Sequence, residues 1–393
     1  MSFAHINLRL SNCDWNDAVS KTVDVLLDDG IAVVPTETVY GLAARLADGH
    51  AVKKLIKLKG RSDQHPFALA FPNSYTIEDM CGELSPLAQR LVRRCLPGPV
   101  SLVLDVLPNE QETVSPDGIR EQNIRENLFW KLPAEIRHVV SKTVSQQSSI
   151  CCRIPDHPLL LPVLGELNEP IVLTSANKSG HGESTSVGQI IASLGSGIDL
   201  VVDDGTLTAP TPSTIVRIVD NNYTILREGA LKSETIKRLA ALMILFVCTD
   251  NTCRSPMAEG FCEKMLSERR NSSEHFDHVQ DIVVLSSGLS ATEGKPATAK
   301  AVEVLQAYGI DLSEHRALPI NETYVRFADY IFTMTRHQRE SLLSSWCNVD
   351  SRLSVLRPDG GDIIDPMGGS LDVYQHCAEQ IQTAIAQRLT EIG

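Results

Sequence analysis

Residues 243–256, MILFVCTDNTCRSP, constrain the fold of this chain more than any other stretch. An apolar strand runs to Cys248, and Arg254 stands six positions on, in front of Ser255 and Pro256. A loop of that length can curl so that successive backbone N–H groups point inward, where an oxyanion sits. Arg254 closes the ring with a planar fork of donors matched to phosphate oxygens. Ser255 reads as the helix N-cap and Pro256 as the first helical residue. The helix end and the guanidinium are expected to lower the thiol pKa. The stretch therefore predicts a phosphate cradle that carries its own nucleophile.

With 393 residues the chain is long for one hydrophobic core, and two domains are expected. The second half repeats strand and helix: MILFVC, a helix from Pro256 to about Arg269, DIVVLSSG, AVEVLQAYG, DYIFTMT, then a helix from about Leu371. That order predicts a doubly wound parallel sheet with its site at the carboxyl ends of the strands. In the first half IAVVP (31–35), FALAF (67–71), SLVLDV (101–106), PIVLTS (170–175), DLVVDD (199–204) and STIVRIV (213–219) indicate a second α/β sheet. Residues 229–242 read as a terminal helix with no linker after it, which divides the chain into 1–240 and 241–393. Met243 reads either as the start of a once-separate chain or as a buried core methionine. Residues 108–149, polar and partly helical (IREQNIRENLFWKL), break the rhythm and read as an inserted excursion over the surface.

Composition removes several function classes. No run of about 18 apolar residues and no basic-then-apolar leader is present, so no membrane span and no secretory signal are expected and the cytoplasm follows. Ten cysteines in this length do not make a disulfide scaffold. Without a CxxC pair zinc is not expected. A net charge of −13 argues against strong direct nucleic-acid binding. Lys53, Lys54, Lys57, Lys59 and Arg61 crowd one segment, either as a solvated helix face or as the rim of an anion site.

The loop, the dipeptide Asp365-Pro366 in IIDPMGGS, SSGLSATEGKPA (286–297), GIDLSEHRA (309–317) and DYIFTMT (329–335) together resemble the low-molecular-weight protein phosphatase family over nearly all of 243–393. The resemblance implies that Cys248 attacks phosphorus, Arg254 holds the equatorial oxygens, Ser255 stabilises the thiolate, Asn251 braces the loop and Asp365 protonates the leaving group. It implies phosphorylated proteins as substrates and no cofactor. Elsewhere Asp-Pro would read as a plain turn. Family members acting on phosphotyrosine usually carry a larger aliphatic residue where Thr252 stands, whereas those acting on phosphoarginine resemble this chain. A protein-arginine phosphatase is the preferred expectation and a protein-tyrosine phosphatase the alternative; a hydroxyl that caps the loop is the structural reading of Thr252. Asp250 stands where the family has glycine and a positive φ is expected, and Met367 replaces an aromatic residue. Cys253 reads as a partner for oxidised Cys248 or as a small buried hydrophobe. Cys347 and Cys377 do not look like a resolving pair.

Upstream, PTETVYGL (35–42), LKGRSDQHP (58–66), LPGPVSLVL (96–104), RIPDHP (153–158), TSANKSG (174–180) and PSTIVRI (212–218) occur in an order that resembles the YrdC-like family of threonylcarbamoyl-adenylate synthases. The fold implied is a twisted α/β sheet over most of residues 20–230. The activity implied is condensation of threonine, bicarbonate and ATP with release of pyrophosphate, magnesium accompanying the ATP and a tRNA-modifying transferase complex using the product downstream. Lys59 and Arg61 face one way if extended, giving two cations spaced for a polyphosphate. Ser175 and Asn177 alternate beyond a buried strand, although SAN is also an ordinary turn. By resemblance Thr36 and Tyr40 contact the amino acid, and Ser213 and Arg227 the nucleotide. Arg153 reads as a partner of the threonine carboxylate or bicarbonate, or as half of a structural ion pair. No metal ligand can be named. The chain departs from the family at Ala70, where some relatives have histidine, and at Ile150, Cys151 and Cys152, where many have glycine and a hydroxyl. The whole is expected to be a bifunctional enzyme; the alternative is a phosphatase with an inactive nucleotide-sensing domain.

Overall fold

All six apolar runs of the first half become strands, and five more join them in one mixed sheet. The computed structural model describes residues 3–392 except 48, 61–65, 108–126, 145–146, 179, 196, 208–209 and 273–280. It divides into two units, Met1–Leu239 and Ala240–Gly393. No described helix is long and apolar enough to cross a membrane.

The first unit contains β1 (Ala4–Asn7), β2 (Ile31–Val34), β3 (Gly41–Arg45), β4 (Ala68–Ala70), β5 (Val100–Val106), β6 (Ser141–Val144), β7 (Gln147–Arg153), β8 (Ile171–Ser175), β9 (Leu200–Asp203), β10 (Thr214–Val219) and β11 (Asn222–Arg227). Their order across the sheet is β1-β9-β2-β3-β8-β4-β7-β5-β10-β11, with β6 paired to β7. The helix Trp15–Leu27 starts at Asp14, whose side chain accepts the N–H groups of Asn16 and Asp17. It buries Ala18, Val19, Val23 and Leu26 in a cluster with Val34, Ala43, Leu160 and Ile171. The β10–β11 hairpin turns at Asp220, whose φ of 52° is the left-handed geometry a short hairpin needs.

The reading of 108–149 as a surface excursion is corrected where the chain is described. Phe129, Ile136 and Val140 are fully buried, and Ser141–Val144 pairs with β7. These apolar side chains turn the short helices Leu128–Lys131 and Ala134–Val140 into core elements despite the polar surroundings. Residues 108–126 lie outside the described residues.

The second unit has four parallel strands, β12 (Leu242–Cys248), β13 (Ile282–Gly288), β14 (Tyr330–Thr333) and β15 (Leu353–Val355), in the order β13-β12-β14-β15. Along β12, Ile244, Phe246 and Cys248 join one buried cluster while Leu245 and Val247 join the other, as period-2 alternation requires. Burial on both faces explains the unbroken apolar run. The chain crosses from β12 to β13 on one side and later reaches β14 on the other, so Cys248 ends the strand at which the order reverses. Ligands of open parallel sheets sit at that place. Met243 is half-buried rather than a core residue, and its N–H donates to Asp329 Oδ2 at 2.9 Å.

Candidate functional sites

The loop after β12 is organised by Asn251. Its φ of 54° makes it the left-handed residue of the loop, a role the sequence reading assigned to Asp250. Asparagine tolerates that geometry better than most side chains. Its Nδ2 donates to Ser255 Oγ at 2.9 Å and to Ser286 Oγ at 2.8 Å, and its Oδ1 accepts the Leu318 N–H at 2.7 Å. His315 Nε2 donates to its carbonyl at 2.8 Å. Ser286 in turn donates to Glu259 Oε2 at 2.6 Å, and burial pushes the Glu259 carboxyl up to about 7. Bracing is thus shared with Ser286 and His315, which lie in the quoted segments SSG and SEHRA but were not singled out from the sequence.

Cys248 Sγ lies 3.0 Å from the Ser255 hydroxyl and accepts the Asn251 N–H at 3.2 Å. The helix begins at Arg254, earlier than read, so Ser255 sits in its first turn and its hydroxyl serves the thiol instead of capping. Burial pushes the Cys248 thiol up, contrary to the expected lowering, while Ser255, Arg254 and the Asn251 N–H act in the opposite direction. Thr252 is buried, and its hydroxyl is 3.8 Å from Cys253 Sγ. Cys253 is buried against Thr298 Oγ1 and Tyr374 Oη at 3.3 and 3.4 Å.

Arg254 Nη2 donates to Asp365 Oδ2 at 2.7 Å, and Nη1 to the Ile363 carbonyl at 3.5 Å. The guanidinium side is 6% exposed and the carboxylate side 54%, so the pair joins a buried cation to an acid open to incoming molecules. The other oxygen, Asp365 Oδ1, accepts the Met367 N–H at 3.2 Å, so Asp365 both forms a turn and faces the cradle. Cys377, at about 12, is an inert buried thiol whose S–H donates to the Ile364 carbonyl at 3.4 Å.

One residue of this site makes room for it. A Cβ on Gly288, paired with Cys248 across the sheet, would stand 2.6 Å from the Thr249 carbonyl oxygen and 2.9 Å from the Asn251 nitrogen. Gly288→Ala is therefore expected to cost about 1–3 kcal/mol of stability through overpacking against backbone. Thermal denaturation of the full chain checks this; an unchanged midpoint would show that the loop yields freely.

In the first unit Thr36, Lys59, Arg153, Ser175, Asn177, Ser213 and Arg227 line one cavity of about 700 Å³. Lys59 is the last residue of the helix His50–Lys59, not part of an extended segment. Its ammonium donates to the Ser175 carbonyl at 2.7 Å and to Thr174 Oγ1 at 3.1 Å. Lys53, Lys54 and Lys57 are exposed and form a solvated face, whereas Lys59 is buried. Arg61 lies outside the described residues. Ser175 Oγ donates to Asn177 Oδ1 at 2.6 Å, Ser213 Oγ is 2.8 Å from Ser101 Oγ, and Arg227 Nη2 donates to the Ser213 carbonyl at 2.9 Å. Arg153 Nη2 contacts Glu37 Oε1 and Thr38 Oγ1, each at 2.8 Å, while its Nε is buried without a hydrogen-bond partner among the described residues. Both readings of Arg153 thus keep a group: an ion pair on one side and a vacant N–H on the other.

Tyr40 is not among the residues lining the cavity. Its ring is buried, and its hydroxyl donates to the Gly205 carbonyl at 2.7 Å and accepts the Asp204 N–H at 2.8 Å. It therefore fixes the turn after β9. Among the described residues the cavity wall also holds Cys151, one of the departures from the family, and Ser101, Thr174 and Glu183, which the sequence did not single out. Among the described residues no three His, Cys, Asp or Glu side chains group closely enough to hold a metal. The residues therefore fit only a cation held largely by a ligand's own phosphates, with Glu183 the one carboxylate among the described lining residues.

Residues 24–229 match the family model Sua5–YciO–YrdC, described as telomere recombination, and residues 243–393 match that of the low molecular weight phosphotyrosine protein phosphatases. The threonylcarbamoyl-AMP synthase of Bacillus subtilis is 27% identical over 219 residues, 56% of this chain and 55% of that protein. The chain thus spans about half the length of that curated relative. The protein-arginine-phosphatase of the same organism is 32% identical over 148 residues, 37% of this chain and 92% of that protein. A probable low molecular weight protein-tyrosine-phosphatase of Ralstonia nicotianae is 33% identical over 143 residues, 36% of this chain and 90% of that protein.

Proposed function

Because residues 24–229 belong to the Sua5–YciO–YrdC family and residues 243–393 to the low molecular weight phosphotyrosine protein phosphatases, we propose that the chain is a bifunctional enzyme. The second unit is read as a phosphocysteine-forming protein-arginine phosphatase, the first as a threonylcarbamoyl-AMP synthase. The observation that carries the first reading is the convergence of seven residues picked from separate motifs on one cavity. A reducing compartment, the cytoplasm, suits a thiol nucleophile.

In the second unit Cys248 displaces the leaving atom from phosphorus, and Arg254 with the loop N–H groups holds the phosphoryl oxygens. Asp365 donates a proton to the departing atom and then takes one from the water that hydrolyses the phosphocysteine. A phosphate seated on Arg254 takes over donors that now go to Asp365 Oδ2. Thr252 is the proposed selector, leaving space and a hydroxyl for a guanidino leaving group. Thr252→Ile is expected to shift the ratio of kcat/KM for phosphoarginyl over phosphotyrosyl peptides by at least about tenfold toward phosphotyrosine. An unchanged ratio returns the site to the tyrosine reading.

In the first unit Lys59, Ser175 and Asn177 take the polyphosphate of ATP, Ser213 and Arg227 the rest of the nucleotide, and Thr36 and Arg153 the threonine. Arg61 belongs to the same proposal. Magnesium, when carried on the ATP, would neutralise phosphate charge and favour departure of pyrophosphate, with Glu183 the residue able to hold it. Threonine and bicarbonate are the co-substrates, and a tRNA-modifying transferase complex would consume the product. The test is pyrophosphate release from ATP by the purified chain, dependent on both threonine and bicarbonate. Nucleotide binding without that release would favour the nucleotide-sensing alternative.

A further inference from the structure

Asp250 takes no part in the chemistry assigned to Cys248, Arg254 and Asp365. It stands two residues past Cys248, inside the loop, where the family has glycine. Its φ is not positive, so the backbone does not require glycine there. The residue is half-buried and makes no hydrogen bond or ion pair with another described residue. The backbone on either side is held: the Thr249 carbonyl accepts the Ser290 N–H at 2.9 Å, the Asn251 N–H donates to Cys248 Sγ at 3.2 Å, and His315 Nε2 donates to the Asn251 carbonyl at 2.8 Å. Asp250 thus keeps a fixed place in the loop that would ring a phosphate. Arg254, the cation of that loop, is already committed to Asp365 or to phosphoryl oxygens, which leaves the Asp250 charge uncompensated. Such a charge opposes whatever anion enters, in proportion to its net charge, and half-burial weakens screening by salt.

The two candidate substrates differ in that net charge. An aryl phosphate enters as a dianion, whereas a phosphoguanidinium carries the same phosphoryl group beside a cation, so that it meets about half the repulsion. Departure adds to the difference. As the S–P bond forms and the P–N bond breaks, the nitrogen takes the bonding pair and a proton from Asp365, and arginine leaves as a guanidinium cation. A tyrosyl oxygen instead gathers negative charge until it is protonated. A fixed carboxylate favours the first course and opposes the second.

We propose that Asp250 is a specificity-determining residue of the phosphatase site, a fixed negative charge that admits a phosphoryl group carried on a cationic guanidino group and rejects a dianionic aryl phosphate. The proposal rests on the arginine reading of this site and deepens it: selection comes from repulsion of the wrong substrate as well as from the space at Thr252.

The experiment measures kcat/KM of the full chain, of Asp250→Asn and of Asp250→Glu on a phosphoarginyl and a phosphotyrosyl peptide with one uncharged flanking sequence, together with inhibition by inorganic phosphate. Asp250→Asn keeps the shape of the side chain and removes its charge. It is expected to raise kcat/KM for the phosphotyrosyl peptide and to tighten phosphate, each by about threefold or more, and to lower kcat/KM for the phosphoarginyl peptide, so that the ratio of the two moves at least about tenfold toward phosphotyrosine. Asp250→Glu retains the charge and should hold the ratio within about threefold of that of the unaltered chain. Rising salt should narrow the preference of the unaltered chain and leave that of Asp250→Asn as it is. A preference for phosphoarginine that Asp250→Asn keeps unchanged overturns the proposal, and so do two rates that move by the same factor, since that is the mark of a structural role. If no form hydrolyses the phosphoarginyl peptide, the arginine reading itself fails and takes the inference with it.

Discussion

Cys248→Ser is expected to abolish hydrolysis of phosphorylated peptides, a fall of at least about 10⁴-fold in kcat. The two side chains occupy nearly the same space, so the Ser255 contact at 3.0 Å and the Asn251 N–H at 3.2 Å have an oxygen to meet in place of sulfur. What is lost is the nucleophile's chemistry, because a serine hydroxyl keeps its proton where a thiol can give one up. No base stands against it: Ser255 and Asn251 N–H are donors, and Arg254 is a cation. Phosphate binding should survive, since the cradle and Arg254 are untouched. The pairing of lost turnover with retained phosphate affinity separates this outcome from misfolding. Residual turnover within about 10²-fold of the unaltered chain would show that Cys248 is not the nucleophile.

How far such a site can be read from sequence depends on which contacts are local. Cys248, Arg254 and Ser255 lie within one turn-and-helix segment, and spacing alone brought them together, whereas Asn251 of the same segment came from the resemblance. Asp365 needed the resemblance, because nothing local ties it to Arg254 across 111 positions. Gly288 and Ser286 were illegible for a related reason: the register that sets Cys248 beside Gly288 is a tertiary fact. The assignment of left-handed geometry to Asp250 failed by one residue, since which residue of a curled loop turns over is decided by the hydrogen bonds it finds. Asn251 finds three with its side chain.

In the first unit the six short apolar runs were legible as strands, but β3 was not. Its sequence, GLAAR, lacks β-branched residues and is held as a strand by pairing with β2 and β8 on either side. For Thr36 and Tyr40, a motif places residues in order along the chain without saying which face each takes. Thr36 faces the cavity while the Tyr40 hydroxyl bonds to the turn after β9.

Lys59→Ala should reduce threonine- and bicarbonate-dependent pyrophosphate release by at least about 10³-fold, the second large effect expected of this chain. Lys59 is only 4% exposed, an uncommon state for a lysine. It closes its helix beside Gly60, whose φ of 58° turns the chain away, and the helix C-terminus favours a cation there. The ammonium is held by the Ser175 carbonyl and Thr174 Oγ1, so it is positioned before any phosphate arrives. A preorganised cation facing developing phosphate charge costs little reorganisation during reaction. Lys59→Met keeps most of the buried stem and removes only the charge, so it should lose activity to the same extent while holding its melting temperature closer to that of the unaltered chain. Lys53→Ala removes an exposed lysine of the same helix, paired with Glu135 of the helix Ala134–Val140, and should leave the rate unchanged. Full activity in Lys59→Met would mean that the buried ammonium serves the fold alone and that the polyphosphate is held elsewhere.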